Sequence, residues 1–216
     1  MSKPAFRAPR YIAIEGPIRV GKSTFAKVLA ERLHARRVID CDDNPFLQDF
    51  YDEKRGAAFQ AQMYFLLERH KRLADLQIDS KSGVVVSDFL FEKDKVFAYI
   101  NLDNEELKLY ERYFEMLAAS LPAPDLVIYL QAKPEVLRKR VIKKGAAAEK
   151  QISPEYLEAV ANGYEHFFFR YSASNLLVVD TSDIDFVERN QDLQELLRRL
   201  DQPVKGTQYY LPLGPG

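Results

Sequence analysis

The stretch IEGPIRVGKST, residues 14–24, places Gly16, Gly21, Lys22 and Ser23 at the spacing G-x-x-x-x-G-K-[ST]. An apolar run precedes it and a helical pattern begins at Ser23, which is the order that a phosphate-binding loop requires. Backbone N–H groups of such a loop surround a phosphate, Lys22 adds positive charge, and the Ser23 hydroxyl is a ligand for Mg²⁺. The stretch therefore predicts a site for the phosphate chain of a nucleotide.

Five short runs rich in valine and isoleucine indicate strands buried on both faces. Helical periodicity fills the stretches between them, as a parallel, doubly wound sheet requires. We predict an α/β fold of the P-loop NTPase type, one domain over residues 1–204, with a five-stranded parallel sheet flanked by helices. Residues 205–216, with two prolines and three glycines, predict an irregular tail. The predicted strands are 11–16, 36–40, 84–88, 125–130 and 175–180, and the predicted helices are 24–35, 57–77, 104–121 and 134–144.

Composition limits the classes of partner. The chain has 31 basic and 32 acidic residues and a formal net charge of -1, so we expect neither nucleic acid nor membrane as a partner. A single cysteine, Cys41, excludes an internal disulfide framework, and the three histidines lack the spacing of a zinc site. No apolar run near the N-terminus has the length of a signal peptide or a membrane span, which predicts a soluble cytoplasmic protein.

A phosphate-binding loop identifies a nucleotide user without distinguishing kinase, GTPase and motor. The base-reading N-K-x-D signature of GTPases is absent, and the chain is too short for most coupled motors. The predicted strand at 84–88 ends in Asp88, where a carboxylate beside the loop could complete the Mg²⁺ shell. The alternative for Asp88 is a helix cap or a turn residue.

The predicted helix at 57–77 carries Gln62 and Arg69 two turns apart on one face. Glutamine presents a donor and an acceptor side by side, which suits the edge of a nucleobase, and arginine adds fixed donors. The alternative is a solvated helix face. An aromatic cluster at 164–171 favours helix core or a dimer face over a stacking surface.

The sequence resembles the deoxyribonucleoside kinase family over nearly its whole length. The segment NPFLQDFY, residues 44–51, is similar to the family element N-P-[YF]-x-x-x-[YF]-Y, and Tyr51, Gln62 and Arg69 reproduce its Y-x(10)-Q-x(6)-R pattern. The resemblance implies that Tyr51 binds the sugar 3′-hydroxyl and that Gln62 and Arg69 read the base. It also implies ATP and Mg²⁺ as cofactors and a small-molecule deoxyribonucleoside as substrate.

Two further segments extend the resemblance. DFLFEKDKVF, residues 88–97, looks like the family's [DE]-R-S region, which implies Asp94 as a third base contact and Phe97 as a stacking residue. Residues 122–157 are similar to a strand followed by a basic lid, here about 138–152. Glu149 then matches the glutamate that shares the 3′-hydroxyl. The implied ATP-phosphate contacts are Gly16, Gly21, Lys22, Ser23, Thr24, Arg140 and Lys144, with Lys22 and Arg140 also catalytic.

The sequence departs from the family pattern at the chemistry. The glutamate that accepts the 5′-hydroxyl proton is replaced by Ile39, so Asp40 is the candidate base and Asp42 the second candidate. Because adjacent strand residues face opposite ways, Asp40 can serve only if the backbone has left the strand. The [DE]-R-S arginine is Phe89, whose charge Lys93 or Arg19 could replace. A lid arginine is Ala146.

The resemblance implies ATP-dependent phosphorylation of the 5′-hydroxyl of a deoxyribonucleoside, with purines or deoxycytidine favoured over thymidine. The alternatives are a thymidylate-kinase-like enzyme that phosphorylates nucleoside monophosphates and a catalytically reduced nucleotide-binding protein. The resemblance also predicts a homodimer in which the helix at 104–121 packs against its twin.

Overall fold

The computed structural model describes residues 9–76, 78, 83–144 and 152–212. Within these ranges it has six strands, eight α-helices and a short 3-10 helix over Phe91–Lys93. The strands are β1 Tyr11–Glu15, β2 Arg36–Val38, β3 Val85–Ser87, β4 Leu126–Gln131, β5 Asn175–Asp180 and β6 Thr207–Tyr210. The helices are α1 Lys22–Leu33, α2 Leu47–Tyr51, α3 Ala57–Ala74, α4 Asp94–Asn101, α5 Asn104–Ala118, α6 Pro134–Lys144, α7 Pro154–Phe169 and α8 Asn190–Arg199.

All six strands are parallel and lie in the order β2-β3-β1-β4-β5-β6. The predicted α/β fold is therefore confirmed, with helices covering a parallel sheet. Strand β1 lies in the interior of the sheet, where it pairs with β3 on one side and with β4 on the other. Since parallel strands end at the same edge, the loops after β1 and β3 lie side by side, which is where open α/β sheets bind their ligands.

The sheet separates two apolar cores. Side chains of β1 alternate between them, because successive strand residues point to opposite faces. Ile12 and Ile14 pack with residues of α1 and α8, whereas Tyr11 and Ala13 pack with residues of α3, α5 and α7. A strand buried on both faces can be apolar throughout, which explains the short valine- and isoleucine-rich runs.

The sheet has one strand more than predicted, and this corrects the irregular tail expected from residue 205. Thr207–Tyr210 pairs in parallel with β5, with Leu176 opposite Thr207. The edge of β5 offers unpaired backbone groups, and an edge strand needs few apolar side chains because one side of it faces solvent. The same reason explains β2, where Arg36 and Arg37 are exposed although we expected burial on both faces.

Helix α1 begins directly after the glycine loop. Gly21 is its N-cap, with a left-handed backbone and no side-chain cap, so the first N–H groups of α1 have no capping side chain. At Gly16 an added Cβ would lie 2.1 Å from the carbonyl oxygen of Leu130 on β4. The loop therefore needs glycine at Gly16 because the backbone of the neighbouring strand is too close for a side chain.

Candidate active site

A first cavity of about 350 Å³ lies over the glycine loop and the start of α1. The Lys22 ammonium donates hydrogen bonds to the carbonyl oxygens of Gly16, at 2.7 Å, and Pro17, at 3.1 Å. Burial lowers the pKa of Lys22 to about 8. We call this space the donor cavity. Its lining includes Ile18, Arg19, Gly21, Lys22, Ser23, Thr24, Arg140, Lys143, Asp185, Val187 and Glu188.

A second cavity of about 400 Å³ is more enclosed and lies between α3, α4 and α7. Ile18 and Lys22 line both cavities, so the two spaces meet at the glycine loop. We call the second space the acceptor cavity. It brings together Tyr51, Gln62, Arg69 and Phe97, as the sequence predicts, with Asp40, Asp42, Phe65, Lys93, Asn101, Tyr156 and Tyr164 also in its wall.

Asp94 is the hydrogen-bonding centre of this wall. Its carboxylate accepts hydrogen bonds from Gln62 Nε2 at 2.6 Å, from the Tyr110 hydroxyl at 2.9 Å and from the Arg69 guanidinium. The side chain is fully buried and is not part of the cavity lining, so its predicted contact with a base stays a prediction. Asp94 fixes the orientation of Gln62 and Arg69, because its oxygens are already occupied by donors from both.

Asp40 faces the acceptor cavity from the loop after β2. Its carboxylate accepts bonds from Arg69 Nε at 2.8 Å, Arg69 Nη2 at 3.1 Å and Lys93 Nζ at 2.6 Å. Burial acts to raise the pKa of Asp40, but the charges and hydrogen bonds of Arg69 and Lys93 hold this pKa well below its usual value. Strand β2 ends at Val38, so the backbone has left the strand before Asp40, as its candidacy requires, and Ile39 is 45% exposed.

Glu15, the last residue of β1, is a fully buried carboxylate that our sequence analysis did not include in the site. It accepts hydrogen bonds from the backbone N–H groups of Gly16 and Leu90, both at 2.8 Å, and from the Tyr164 hydroxyl at 3.0 Å. Its other neighbour is the Lys93 ammonium, 3.6 Å away. The sequence signal that could have identified Glu15 as a site residue is its charge at the end of an otherwise apolar strand.

Asp88 lies at the end of β3, beside the glycine loop's strand. It is buried, and its Oδ1 accepts a hydrogen bond of 2.6 Å from the backbone N–H of Asp40. One of its oxygens is thus used to hold the loop after β2. In the ranges that the structure describes, no three or more His, Cys, Asp or Glu residues cluster in a way that could hold a metal ion. The Mg²⁺ role of Asp88 with Ser23 stays a prediction.

Arg140 lines the donor cavity, and hydrogen bonds to a neighbouring loop fix its guanidinium. Its Nη2 donates to the carbonyl oxygens of Thr181, at 2.7 Å, and Ile184, at 3.0 Å, in the loop after β5. This arrangement anchors α6 to that loop. The side chain of Lys144, together with Ala146 and Glu149, lies outside the described residues, so their predicted roles remain predictions.

A glycine loop on an interior strand of a parallel sheet, opening onto two adjoining cavities, defines a P-loop phosphotransferase with separate donor and acceptor spaces. The family model for deoxynucleoside kinases matches residues 12–205. The chain belongs to the deoxynucleoside kinase family, and it is an enzyme of that class.

Proteins with similar sequences align with most of the chain. A deoxyguanosine kinase of Bacillus subtilis is 33% identical over 193 residues, covering 86% of this chain and 93% of that protein. A deoxyadenosine/deoxycytidine kinase of the same organism is 28% identical and covers 91% and 94%. Among solved structures, a deoxyadenosine kinase from M. mycoides with dCMP and a flexible dCDP bound has a TM-score of 0.74 at 25% identity, covering 88% of this chain and 98% of that one.

We predict that Arg69→Met strongly destabilises the fold, because it leaves the buried carboxylates of Asp40 and Asp94 without their shared cation. The expected loss in the free energy of unfolding is about 3–5 kcal/mol, measured by urea denaturation. Lys71→Met is the control on the same helix, because the Lys71 side chain is 78% exposed and its ion pair with Glu68 is 3.8 Å long. Equal stability losses for the two variants would contradict this account of Arg69.

Proposed function

We propose that this protein transfers the γ-phosphate of ATP to the 5′-hydroxyl of a deoxyribonucleoside, giving ADP and the deoxyribonucleoside monophosphate. The observation that carries the proposal is that Lys22 lines both cavities, so a phosphate on the glycine loop lies next to whatever occupies the acceptor cavity. Phosphoryl transfer asks a protein mainly to align two substrates and to offset charge. The two adjoining cavities meet that requirement.

ATP fits the donor cavity through its phosphates. Gly16, Gly21, Lys22, Ser23 and Thr24 form the cradle, and the uncapped N-terminus of α1 supplies N–H groups for an anion. Mg²⁺, when bound, offsets charge on the phosphates, with the Ser23 hydroxyl as a ligand and Asp88 beside it. Arg140 borders the same space, and Lys144 completes the basic contacts that we propose.

The deoxyribonucleoside fits the acceptor cavity. We assign the sugar 3′-hydroxyl to Tyr51, with Glu149 as its second partner, and stacking on the base to Phe97. Gln62 Nε2 donates to the carbonyl oxygen of Asp94 at 2.9 Å and to its carboxylate at 2.6 Å, so Gln62 presents its oxygen to the base. An oxygen acceptor suits the exocyclic amino group of adenine or cytosine, or the N1–H of guanine. Thymine offers this oxygen only its ring N3–H and carries no exocyclic amino group, so we expect thymidine to be disfavoured relative to the other three.

Asp40 is our candidate for the group that takes the 5′-hydroxyl proton. It lines the acceptor cavity and lies beside two cations, although the lowered pKa of Asp40 makes it a weak base. A weak base is compatible with a loose transition state, in which the bond to the departing ADP oxygen is largely broken before the new bond forms. Asp42 is exposed yet reaches the same cavity and is the competing candidate.

A radiolabelled ATP transfer assay across the natural deoxyribonucleosides tests the proposal. We expect deoxyadenosine, deoxyguanosine or deoxycytidine to be phosphorylated faster than thymidine, and Asp40→Asn to lower kcat by about 10²-fold while Asp42→Asn does not. A loss confined to Asp42→Asn would transfer the role of base to Asp42. Equal turnover of dAMP and deoxyadenosine would indicate the thymidylate-kinase-like alternative, and tight ATP binding without any product would indicate the catalytically reduced one.

The pKa of Lys22 predicts how nucleotide binding depends on pH. At a pH below about 8, Lys22 is protonated in the free protein. At a higher pH the free protein loses the Lys22 proton, and nucleotide binding must restore it. We therefore expect ADP to bind more weakly at pH 9 than at pH 7 and to take up a proton only at pH 9. Calorimetry in two buffers of different ionisation enthalpy measures this uptake. Lys22→Arg should abolish the difference because its guanidinium stays charged; the same uptake at both pH values would contradict the prediction.

We further propose a homodimer that uses α5, in a protein of the cytoplasm. Leu109, Tyr113 and Met116 follow one another at helical spacing on α5 and are 44%, 42% and 63% exposed, so they form an unpaired apolar stripe. Residue 118 ends this helix, close to the predicted boundary of 121. None of the helices in the described ranges is long and apolar enough to span a bilayer.

Light scattering is expected to give the mass of two chains for the wild type and of one chain for Met116→Lys, because a lysine on the stripe would be buried without a partner in the dimer. Tyr209→Lys is the matched control, since Tyr209 is 64% exposed on β6, at the far edge of the sheet. A wild-type mass of one chain would refute the dimer.

A further inference from the structure

Lys93 is a buried cation in the wall of the acceptor cavity. It is the last residue of the 3-10 helix between β3 and α4, and its side chain is 4% exposed. The ammonium donates to Asp40 Oδ2 at 2.6 Å, while its distance of 3.6 Å to Glu15 Oε2 is too long for a normal hydrogen bond. An ammonium has three N–H donors, so Lys93 retains capacity to donate to a group that enters the cavity.

The two acidic neighbours of Lys93 do not use all of its N–H groups. Glu15 already accepts three hydrogen bonds, from Gly16, Leu90 and Tyr164. Asp40 already has a two-point contact with Arg69, which is the stronger geometry for a carboxylate. Lys93 therefore balances the charge of these acids without using all of its N–H groups on them, and the N–H that remains is available to a ligand in the cavity.

Lys93 also lies close enough to Lys22 for the two charges to repel. The charge of Lys93 is one of the causes, after burial, that lower the pKa of Lys22. The charges of Glu15, Asp40 and Asp88 act on this pKa in the opposite direction, so the protein's own carboxylates offset part of the repulsion, and an anion between the two ammonium groups would offset more of it. Because Lys22 lies where the donor and acceptor cavities meet, the anion that would relieve this repulsion is the phosphoryl group in transit.

The other nearby cations are placed differently. Arg19 lines the donor cavity rather than the acceptor cavity, and Arg140 is bound to the carbonyl oxygens of the loop after β5. Arg69 is shared between Asp40 and Asp94. Phe89 is fully buried in the apolar core, so residue 89 contributes no charge at all. Among the cations in the ranges that the structure describes, Lys93 therefore joins Lys22 beside the reacting groups with an N–H available to a ligand.

We propose that Lys93 is a catalytic residue that binds an oxygen of the γ-phosphoryl group during its transfer, with Asp40 holding the ammonium in position. The inference rests on the proposed function. The 5′-oxygen of the deoxyribonucleoside forms a bond to the γ-phosphorus, the bond from that phosphorus to the β,γ-bridging oxygen breaks, and ADP leaves with the electron pair. The 5′-hydroxyl proton passes to Asp40, and Lys93 remains protonated throughout.

The test compares Lys93→Met with Lys95→Met. Lys95 is two residues away, but its ammonium lies 4.4 Å from the centre of the Phe114 ring, and it does not line the acceptor cavity. We expect Lys93→Met to lower kcat by about 10²–10³-fold with little change in KM for either substrate, because the contact forms in the transition state. Lys95→Met should retain kcat, and Lys93→Arg should retain part of it because the charge is kept.

A binding measurement separates this role from a structural one. ADP with aluminium fluoride and a deoxyribonucleoside mimics the transferring phosphoryl group, so Lys93→Met should lose fluoride-dependent trapping of ADP while its affinity for ADP alone is unchanged. If Lys93→Met does not fold, Lys93→Met combined with Asp40→Asn removes the carboxylate left unpaired. It is compared with Asp40→Asn alone and should show a further loss of trapping.

Three results overturn the inference: kcat within about threefold of wild type, a change confined to KM, or a loss of kcat with trapping unchanged. Each of these requires a wild-type enzyme that transfers phosphate. A wild type that phosphorylates no deoxyribonucleoside would instead refute the proposed function, so the two failures are distinguishable.

Discussion

The site depends on one guanidinium. Arg69 of α3 binds the fully buried Asp94 on one side and Asp40, whose side chain is 20% exposed, on the other. A buried charge needs a close partner of opposite sign, and within the described residues Asp94 has no other cation beside it, whereas Asp40 pairs with both Arg69 and Lys93. Asp94 in turn holds Gln62, and Asp40 holds Lys93. The end of the acceptor cavity beside Gln62 and the end beside Lys93 are thus joined through one side chain.

Local signals in the sequence were sufficient for the fold and the glycine loop. The spacing of Gly16, Gly21 and Lys22 requires only a strand before it and a helix after it, and both are readable from periodicity. Strand β6 was missed because an edge strand is half exposed and carries no apolar run. Its pairing is decided by the edge of β5, which no inspection of residues 207–210 alone can reveal.

Which residues line the site was easier to predict than which hydrogen bonds they make. Gln62 and Arg69 were noticeable from their spacing on one helix and Tyr51 from the family resemblance, and the structure places all three in one cavity wall. Asp94 was expected to contact the base, whereas its hydrogen bond from the Tyr110 hydroxyl, on a helix whose other face is exposed, was not expected. Glu15 and Tyr164 are 149 residues apart, and their contact depends on how α7 crosses the sheet. Such pairings follow from tertiary packing, for which a single sequence contains no local signal.

The placement of Glu15 couples the site to the stability of the whole domain. Glu15 ends a strand that is paired on both sides and buried on both faces, which is the kind of segment whose amide hydrogens exchange with solvent only when the entire protein opens. Local unfolding of a peripheral helix therefore does not displace the carboxylate that accepts a hydrogen bond from the glycine loop. On heating, the Glu15 carboxylate should therefore keep its position until the sheet itself unfolds.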